Sequence, residues 1–332
     1  MPSIPRPRLR KAQRAGVDAR PEHVASAEPD VEGVEHGGLR WINIENPGAI
    51  DRAWLEEHYE FHPLDYEDVT SRNQRPKIDE YPDYLFIVLH FPVFDKSLGR
   101  LNTAELDMFV GQDFLITLPN RPIPPLSYLF ERCESSEEVR EQLMSKGSGY
   151  LLYRIVDDSF DYCFPMLRKM GNKLERIEED IFEGRSEEVV RDISNAMQEI
   201  INCRKISRPE RPVLRDLERT KQRYLAAEMD IYFDDIVDAS ERIWDMLENY
   251  KEVVEALEDT NESVLSHRVN DVLRVLTAFS VIILPLTLIA SIFGMNVEVP
   301  GENDLGAFWL ILVTMLAVLG GMLAYFRRRG WL

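Results

Sequence analysis

The chain has 332 residues, 29% of them charged, and a formal net charge of −19, with a mean hydropathy of −0.27. That length suits about two domains, and so acidic a balance argues against nucleic acid as a partner. Cys133, Cys163 and Cys203 are widely spaced with no CxxC pair, which fits a reducing compartment and offers no structural zinc site.

Residues 1–37 lack apolar periodicity and are rich in Pro, Arg and Ala, which reads as a disordered arm. Residues 38–120 have the pattern of mixed α and β structure. "LRWINIEN", "YLFIVLHFPVF" and "LDMFVGQDFLITLP" are short β-branched and aromatic runs, the last with a hairpin-like Gly111–Asp113. Between them, "AIDRAWLEEHYEF" and "PLDYEDVTSR" suggest short helices. Helical spacing covers 122–145 and about 148–183, breaks at "EGRSEE", and resumes over 189–223 with an interruption or a bend expected near Pro209 and Pro212. From Ile236 a stripe of Ile243, Leu247, Tyr250, Val254, Leu257, Asn261 and Val264 steps by fours and threes. After a shift of phase it resumes at Leu265, Val269, Val272 and Leu276. No Pro or Gly occurs between residues 213 and 284, so one helix of some fifty residues is expected, its cytoplasmic part a stalk over 236–274.

Two stretches, 275–294 and 305–326, carry no charged side chain and are each long enough to cross a hydrocarbon core of roughly 30 Å. Arg268 and Arg274 precede the first, and Arg327, Arg328 and Arg329 open a basic tail at 327–332. The connection at 295–304 holds Glu298, Glu302 and Asp304 and no Lys or Arg. By the positive-inside rule both termini are cytoplasmic and this short loop faces outside. No signal-like segment is visible near the N-terminus, so the first 270 residues are expected in the cytoplasm.

Two helices cannot enclose a water-filled path, so transport requires several copies around an axis. The first span offers Thr277, Ser280, Thr287 and Ser291; Asn270, Leu273, Leu276, Ser280, Leu284 and Thr287 share one face with them. Such hydroxyls serve either as interhelical hydrogen-bonding groups or as a pore lining, and the pattern alone leaves both open. No ionisable group lies between Arg274 and Glu298, which disfavours a proton relay inside the span. Gly294-Met295-Asn296 ends it. A ring of Asn296 carbonyls accepts hydrogen bonds from the waters of a hydrated Mg²⁺ without stripping them.

The stretch "VLTAFSVIILPLTLIASIFGMN" (275–296), the acidic loop, the second span, "YFRRRGWL", and upstream "HPLDYEDVTSRNQRPKIDEYPDYLFIVLHF" (62–91) resemble the CorA family of divalent-cation transporters. The resemblance implies an α+β membrane protein: a cytoplasmic α/β/α domain over 38–235, a long stalk helix running into a pore-lining span, an outer helix, and a homopentameric funnel. It implies Mg²⁺ as the main cargo, with Co²⁺ and Ni²⁺ also carried, Gly294, Met295 and Asn296 as the selectivity filter, and Asn270, Leu273, Leu276, Leu284 and Thr287 at pore-facing positions.

Residues 228–262 contain thirteen Asp or Glu against two Lys or Arg. In neighbouring copies such charges repel unless divalent cations intervene, which suggests a sensor in which cytoplasmic Mg²⁺ holds the channel closed. The resemblance implies Glu67 and Asp68 on one subunit, with Asp157 and Asp235 on its neighbour and Asp259 nearer the axis. A zinc transporter of the same superfamily and a non-conducting two-span scaffold are the alternatives. No phosphate-binding loop, nucleophile or cofactor motif points to an enzyme or to an organic cofactor.

Overall fold

The computed structural model describes residues 29–71, 74–95, 100–184, 186–220, 230–295 and 305–331. It divides into two units: one of residues 1–166 and 202–245, the other of 167–201 and 246–332.

The first unit is built on a six-stranded sheet: β1 (Glu32–His36), β2 (Leu39–Asn43), β3 (Lys77–Glu80), β4 (Tyr84–Asp95), β5 (Arg100–Gly111) and β6 (Phe114–Pro119), in the order β1-β2-β6-β5-β4-β3. Only β2 and β6 pair in parallel. Parallel neighbours need a crossover connection, and the chain between them supplies β3, β4 and β5 as well as α1 (Ala49–His58) and α2 (Pro63–Thr70). The strand runs that read as continuously apolar do so because both faces are covered. On one face Ile42, Phe86, Val88, Phe109, Ile116 and Leu118 form a core with Leu55 of α1 and Tyr66 and Val69 of α2. The alternate residues Leu85, Ile87, Leu89, Met108 and Leu115 are equally buried, toward the side of α3 (Pro124–Ser135), α4 (Glu137–Met144) and α5 (Ser148–Asp161). Trp41 meets Phe130 edge-on there at 4.9 Å.

Two boundaries differ from the sequence reading. The expected arm over 1–37 is too long, because Glu32–His36 pairs with β2 from Glu32↔Asn43 to His36↔Leu39. The turn uses Gly37 and Gly38 at φ +60° and +86°, the two positive angles that a tight hairpin requires. Residues 1–28 of that arm lie outside the described residues. The helical stretch 122–145 divides at Ser136, which caps α4 through its Oγ. The stretch 148–183 divides into α5 and α6 (Cys163–Glu183).

The break at "EGRSEE" is where α6 ends and α7 (Ser186–Thr220) begins, with Gly184 at φ +94°. Pro209 and Pro212 lie inside α7, so the bend expected there does not end the helix. The stalk is longer than expected: α8 runs unbroken from Asp230 to Phe293, 64 residues, or about 96 Å at 1.5 Å each.

In the second unit the seam of α8 is buried at Leu247, Val254, Leu257 and Asn261. Gly171 of α6 lies so close that a β-carbon there would sit 2.8 Å from the Tyr250 hydroxyl. This seam is therefore covered by its own chain. The final helix, α9 (Leu305–Arg328), follows. The most apolar 18-residue windows of α8 and α9 have mean hydropathies of 2.4 and 2.3.

Candidate functional site

Along the apolar end of α8, one face is occupied and one is not. Ala278 and Ile282 are buried, and with Leu286 they pack against Leu319, Met322 and Phe326 of α9. At about 100° of rotation per residue, Leu273, Leu276, Ser280, Leu284, Thr287 and Ser291 fall on the opposite side. They are exposed, Leu284 at 68%, Leu276 at 60% and Leu273 at 52%. Asn270 is exposed as well and lies about 70° to one side of that stripe. Upstream, Leu265 is partly buried while Val269 and Val272 are exposed at 57% and 68%, so the stripe that begins after the shift of phase is uncovered by the described residues from Val269 onward.

The hydroxyls on this helix have a fixed polarity. Thr277, Ser280 and Thr287 donate to the carbonyls of Leu273, Leu276 and Ile283 at 2.7, 2.9 and 3.0 Å. With the proton committed to the backbone, each oxygen is left with lone pairs to offer. Such a surface accepts hydrogen bonds from the waters around a cation and gives an anion nothing to bind. Gly294 continues the helix by one bond, its N–H donating to Ala290 at 2.9 Å. A β-carbon on Gly294 would press to 3.0 Å of that same carbonyl, so a side chain is unwelcome at this turn. Met295 is exposed at 59%. Asn296, Glu298, Glu302 and Asp304 lie outside the described residues.

The acidic candidates fall into separate groups. Glu67 is exposed near the end of α2, while Asp68 is half-buried and bonded to Lys77 at 2.7 Å. Lys77 also bonds Asp79. Burial opposes its charge, yet the hydrogen bonds that it donates to Asp68 and Asp79 prevail and hold the ammonium up to about 12. Beside them Asp65 is 1% exposed and accepts from Tyr81 at 3.0 Å and Tyr84 at 2.8 Å. Oxygens of Asp65, Asp68 and Asp79 lie within 4.8 Å of one another, a geometry that suits a cation; Lys77 and the two phenols already supply the compensation. Sequence reasoning missed this trio. Its signal was "KID" at the edge of the sheet, where residues two apart share a face.

Asp157 on α5 is bound to Arg154 at 2.9 Å. Burial raises its carboxyl, Arg154 opposes that, and Asp161, Asp158 and Asp235 raise it further. Asp235 of α8 is exposed, and its influence on Asp157 and on Tyr153 places the two acids in one neighbourhood. The structure thus brings Asp157 and Asp235 together within one chain, and keeps Glu67 and Asp68 as a different pair on α2. Asp259 is exposed further along α8.

The family model described as "CorA-like Mg2+ transporter protein" matches residues 36–328. The Bacillus subtilis protein YfjQ is 29% identical over 316 residues, which cover 93% of this chain and 96% of that protein. The cobalt/magnesium transport protein CorA of Thermotoga maritima is also 29% identical, over 88% of this chain and 83% of its own. Among solved structures, the complete CorA magnesium transporter of Methanocaldococcus jannaschii superposes with a TM-score of 0.78 at 23% identity, covering 89% of this chain and 92% of that one.

Proposed function

The chain belongs to the CorA-like Mg²⁺ transporter family, and on that premise we propose that it is a passive channel for hydrated divalent cations, Mg²⁺ foremost with Co²⁺ and Ni²⁺ accepted. It is an integral membrane protein with two apolar helices; in the proposed arrangement both ends are cytoplasmic and the membrane is the prokaryotic inner membrane. Several copies, five on this reading, surround an axis, and each turns the uncovered face of α8 toward it.

The observation that carries the reading is the division of that helix. One side is taken by α9, and the other presents an exposed stripe of leucines and acceptor-only hydroxyls leading to Gly294-Met295-Asn296. Neutral oxygens hold the waters of Mg²⁺ without binding the ion too firmly to release it. Leu276 and Leu284 act as apolar constrictions, which close by dewetting. The acids Glu298, Glu302 and Asp304 gather cations at the mouth.

Closure follows from cytoplasmic Mg²⁺. In this scheme Glu67 and Asp68 of one copy and Asp157 and Asp235 of the next share the ion, with Asp259 nearer the axis. An ion that binds the symmetric arrangement more tightly than a splayed one shifts the population toward it by that difference in affinity. The test is ion uptake into liposomes containing the purified protein and an ion-sensitive dye. Mg²⁺ uptake driven by an inside-negative potential and slowed by luminal Mg²⁺ is expected. A preference for Zn²⁺ would move the chain to a zinc-carrying function, and no flux of any divalent ion would leave a membrane scaffold.

A further inference from the structure

A cavity of about 340 Å³ opens in the first unit where β5 and β6 meet the end of α2 and the start of α1. Its polar lining includes Asn46, Thr70, Ser71, Glu105, Asp107 and Asn120. Glu105 and Asp107 are two residues apart on β5 and so share one face of the sheet, at 4% and 2% exposure. Glu105 has neighbours: the Gln74 N–H donates to its Oε2 at 3.1 Å, and His90 Nε2 lies 3.4 Å away. For Asp107 the contrast is at one oxygen: its Oδ1 is buried in the cavity lining and accepts no hydrogen bond from the described residues.

A buried carboxylate oxygen without a donor or a counter-charge is costly. Among the described residues, two nearby cations are engaged elsewhere. Arg52, in the same lining, is bound to Glu56 at 2.8 Å, and Lys77 is bound to Asp68 and Asp79. Burial and the adjacent Glu105 push the Asp107 carboxyl well above the usual range, with Asp68 adding to this and Lys77 opposing it.

The walls above this acidic floor are oxygen-rich. The Thr70 hydroxyl donates to the Glu67 carbonyl at 3.1 Å and that of Ser71 to the Asp68 carbonyl at 3.2 Å; Ser71 Oγ accepts from Gln74 Nε2 and keeps a second lone pair to offer. The cavity also sits at the C-terminus of α2, the negative end of its dipole. A hard cation prefers carboxylate and neutral oxygens together. Six waters occupy roughly 180 Å³ at about 30 Å³ apiece, so a hydrated ion fits the space.

We propose that this cavity is a divalent-cation site contained within a single chain, with Asp107 Oδ1 as a direct ligand, Glu105 beside it, and the oxygens of Asn46, Thr70, Ser71 and Asn120 receiving the ion's waters. The site shares no residue with the carboxylates proposed to bridge copies and needs no second subunit. An ion here ties β5 to the last turn of α2, the helix that carries Glu67 and Asp68, and so stiffens the mount of those two acids.

The test counts Mn²⁺ on the metal-stripped full-length protein in detergent, by electron paramagnetic resonance. The background is a variant in which Glu67, Asp68, Asp157, Asp235 and Asp259 are replaced by their amides. Adding Asp107→Asn to this background is expected to remove one bound Mn²⁺ per chain. Glu105→Gln, which keeps an acceptor for the Gln74 N–H, is expected to weaken the same site about tenfold, and it serves as the test if Asp107→Asn does not fold. An unchanged count with Asp107→Asn, or an unchanged affinity with Glu105→Gln, overturns the site and means that a proton alone neutralises Asp107. Ion flux does not enter this readout, so the failure of the channel reading would leave it standing, and the reverse.

Discussion

In the proposed sensor, single residues decide how an ion competes with protons. Asp157 is held above its ordinary value of 3.8 by burial and by Asp161, Asp158 and Asp235, against the pull of Arg154. A bridging cation needs this carboxyl ionised, so protons compete with it at a higher pH than they would on a free aspartate. The sign follows from linkage. Without metal, the raised value favours the folded state most below pH 3.8, and that contribution is lost as pH rises through the raised value. Bound Mg²⁺ acts in the opposite sense, so its stabilising effect grows with pH. Protection from protease by Mg²⁺ is therefore expected to require more of the ion at pH 5.5 than at pH 7.5, and Asp157→Asn is expected to weaken protection and flatten this dependence. A pH-independent midpoint in the native chain would remove Asp157 from the sensor. The sequence brought out the acids by their density, but their partners were out of reach. Arg154, three residues before Asp157 on one helix, was within reach of a local reading, whereas the nine-residue step from Lys77 to Asp68 depends on the packing of α2 against β3, and nothing local announces Asp107 as buried.

At the scale of elements, α8 is a single helix whose faces change partner along its length. Its seam from Leu247 to Asn261 is covered within the chain, and its apolar end is covered on one side by α9. The seam's period was plain in the sequence, and the covering element was not, because a periodic stripe records burial without recording what buries it. The close approach of α6 gives a direct check. Gly171→Ala gains about 1 kcal/mol of helix propensity, but its methyl meets the Tyr250 hydroxyl at 2.8 Å, and overpacking of this kind costs about 1–3 kcal/mol. A lowered thermal midpoint is expected for Gly171→Ala, and recovery to the native value or above for Gly171→Ala combined with Tyr250→Phe. Equal losses in both variants would show that the hydroxyl contact does not set the spacing of these helices. Strand β1 makes the converse point. Only Val34 among its five residues is buried hydrophobic, so its sequence carries little alternation, and the readable signal was the Gly37-Gly38 turn beside it.

For the whole molecule, the legible part was the part fixed by solvent. Two charge-free runs of membrane-spanning length, the arginines that flank them and the acidic remainder follow from burial costs that hold in any protein. The layered sheet was partly legible, since continuous apolar strands imply cover on both faces, whereas strand order depends on long-range pairing that no local pattern encodes. Function at this scale rests on one asymmetry: α9 occupies one side of α8 and leaves the stripe through Leu276, Leu284 and Thr287 bare. The most direct measurement is cysteine accessibility during ion flux in proteoliposomes, against native cysteines Cys133, Cys163 and Cys203 that are all buried. Leu284→Cys and Thr287→Cys are expected to lose Mg²⁺ uptake on treatment with a positively charged thiol reagent, while Ile282→Cys and Leu286→Cys continue to conduct. Block at Ile282 and Leu286 with Leu284 and Thr287 spared, or block from exposed positions of α9 such as Leu316, would contradict an ion path along the uncovered face.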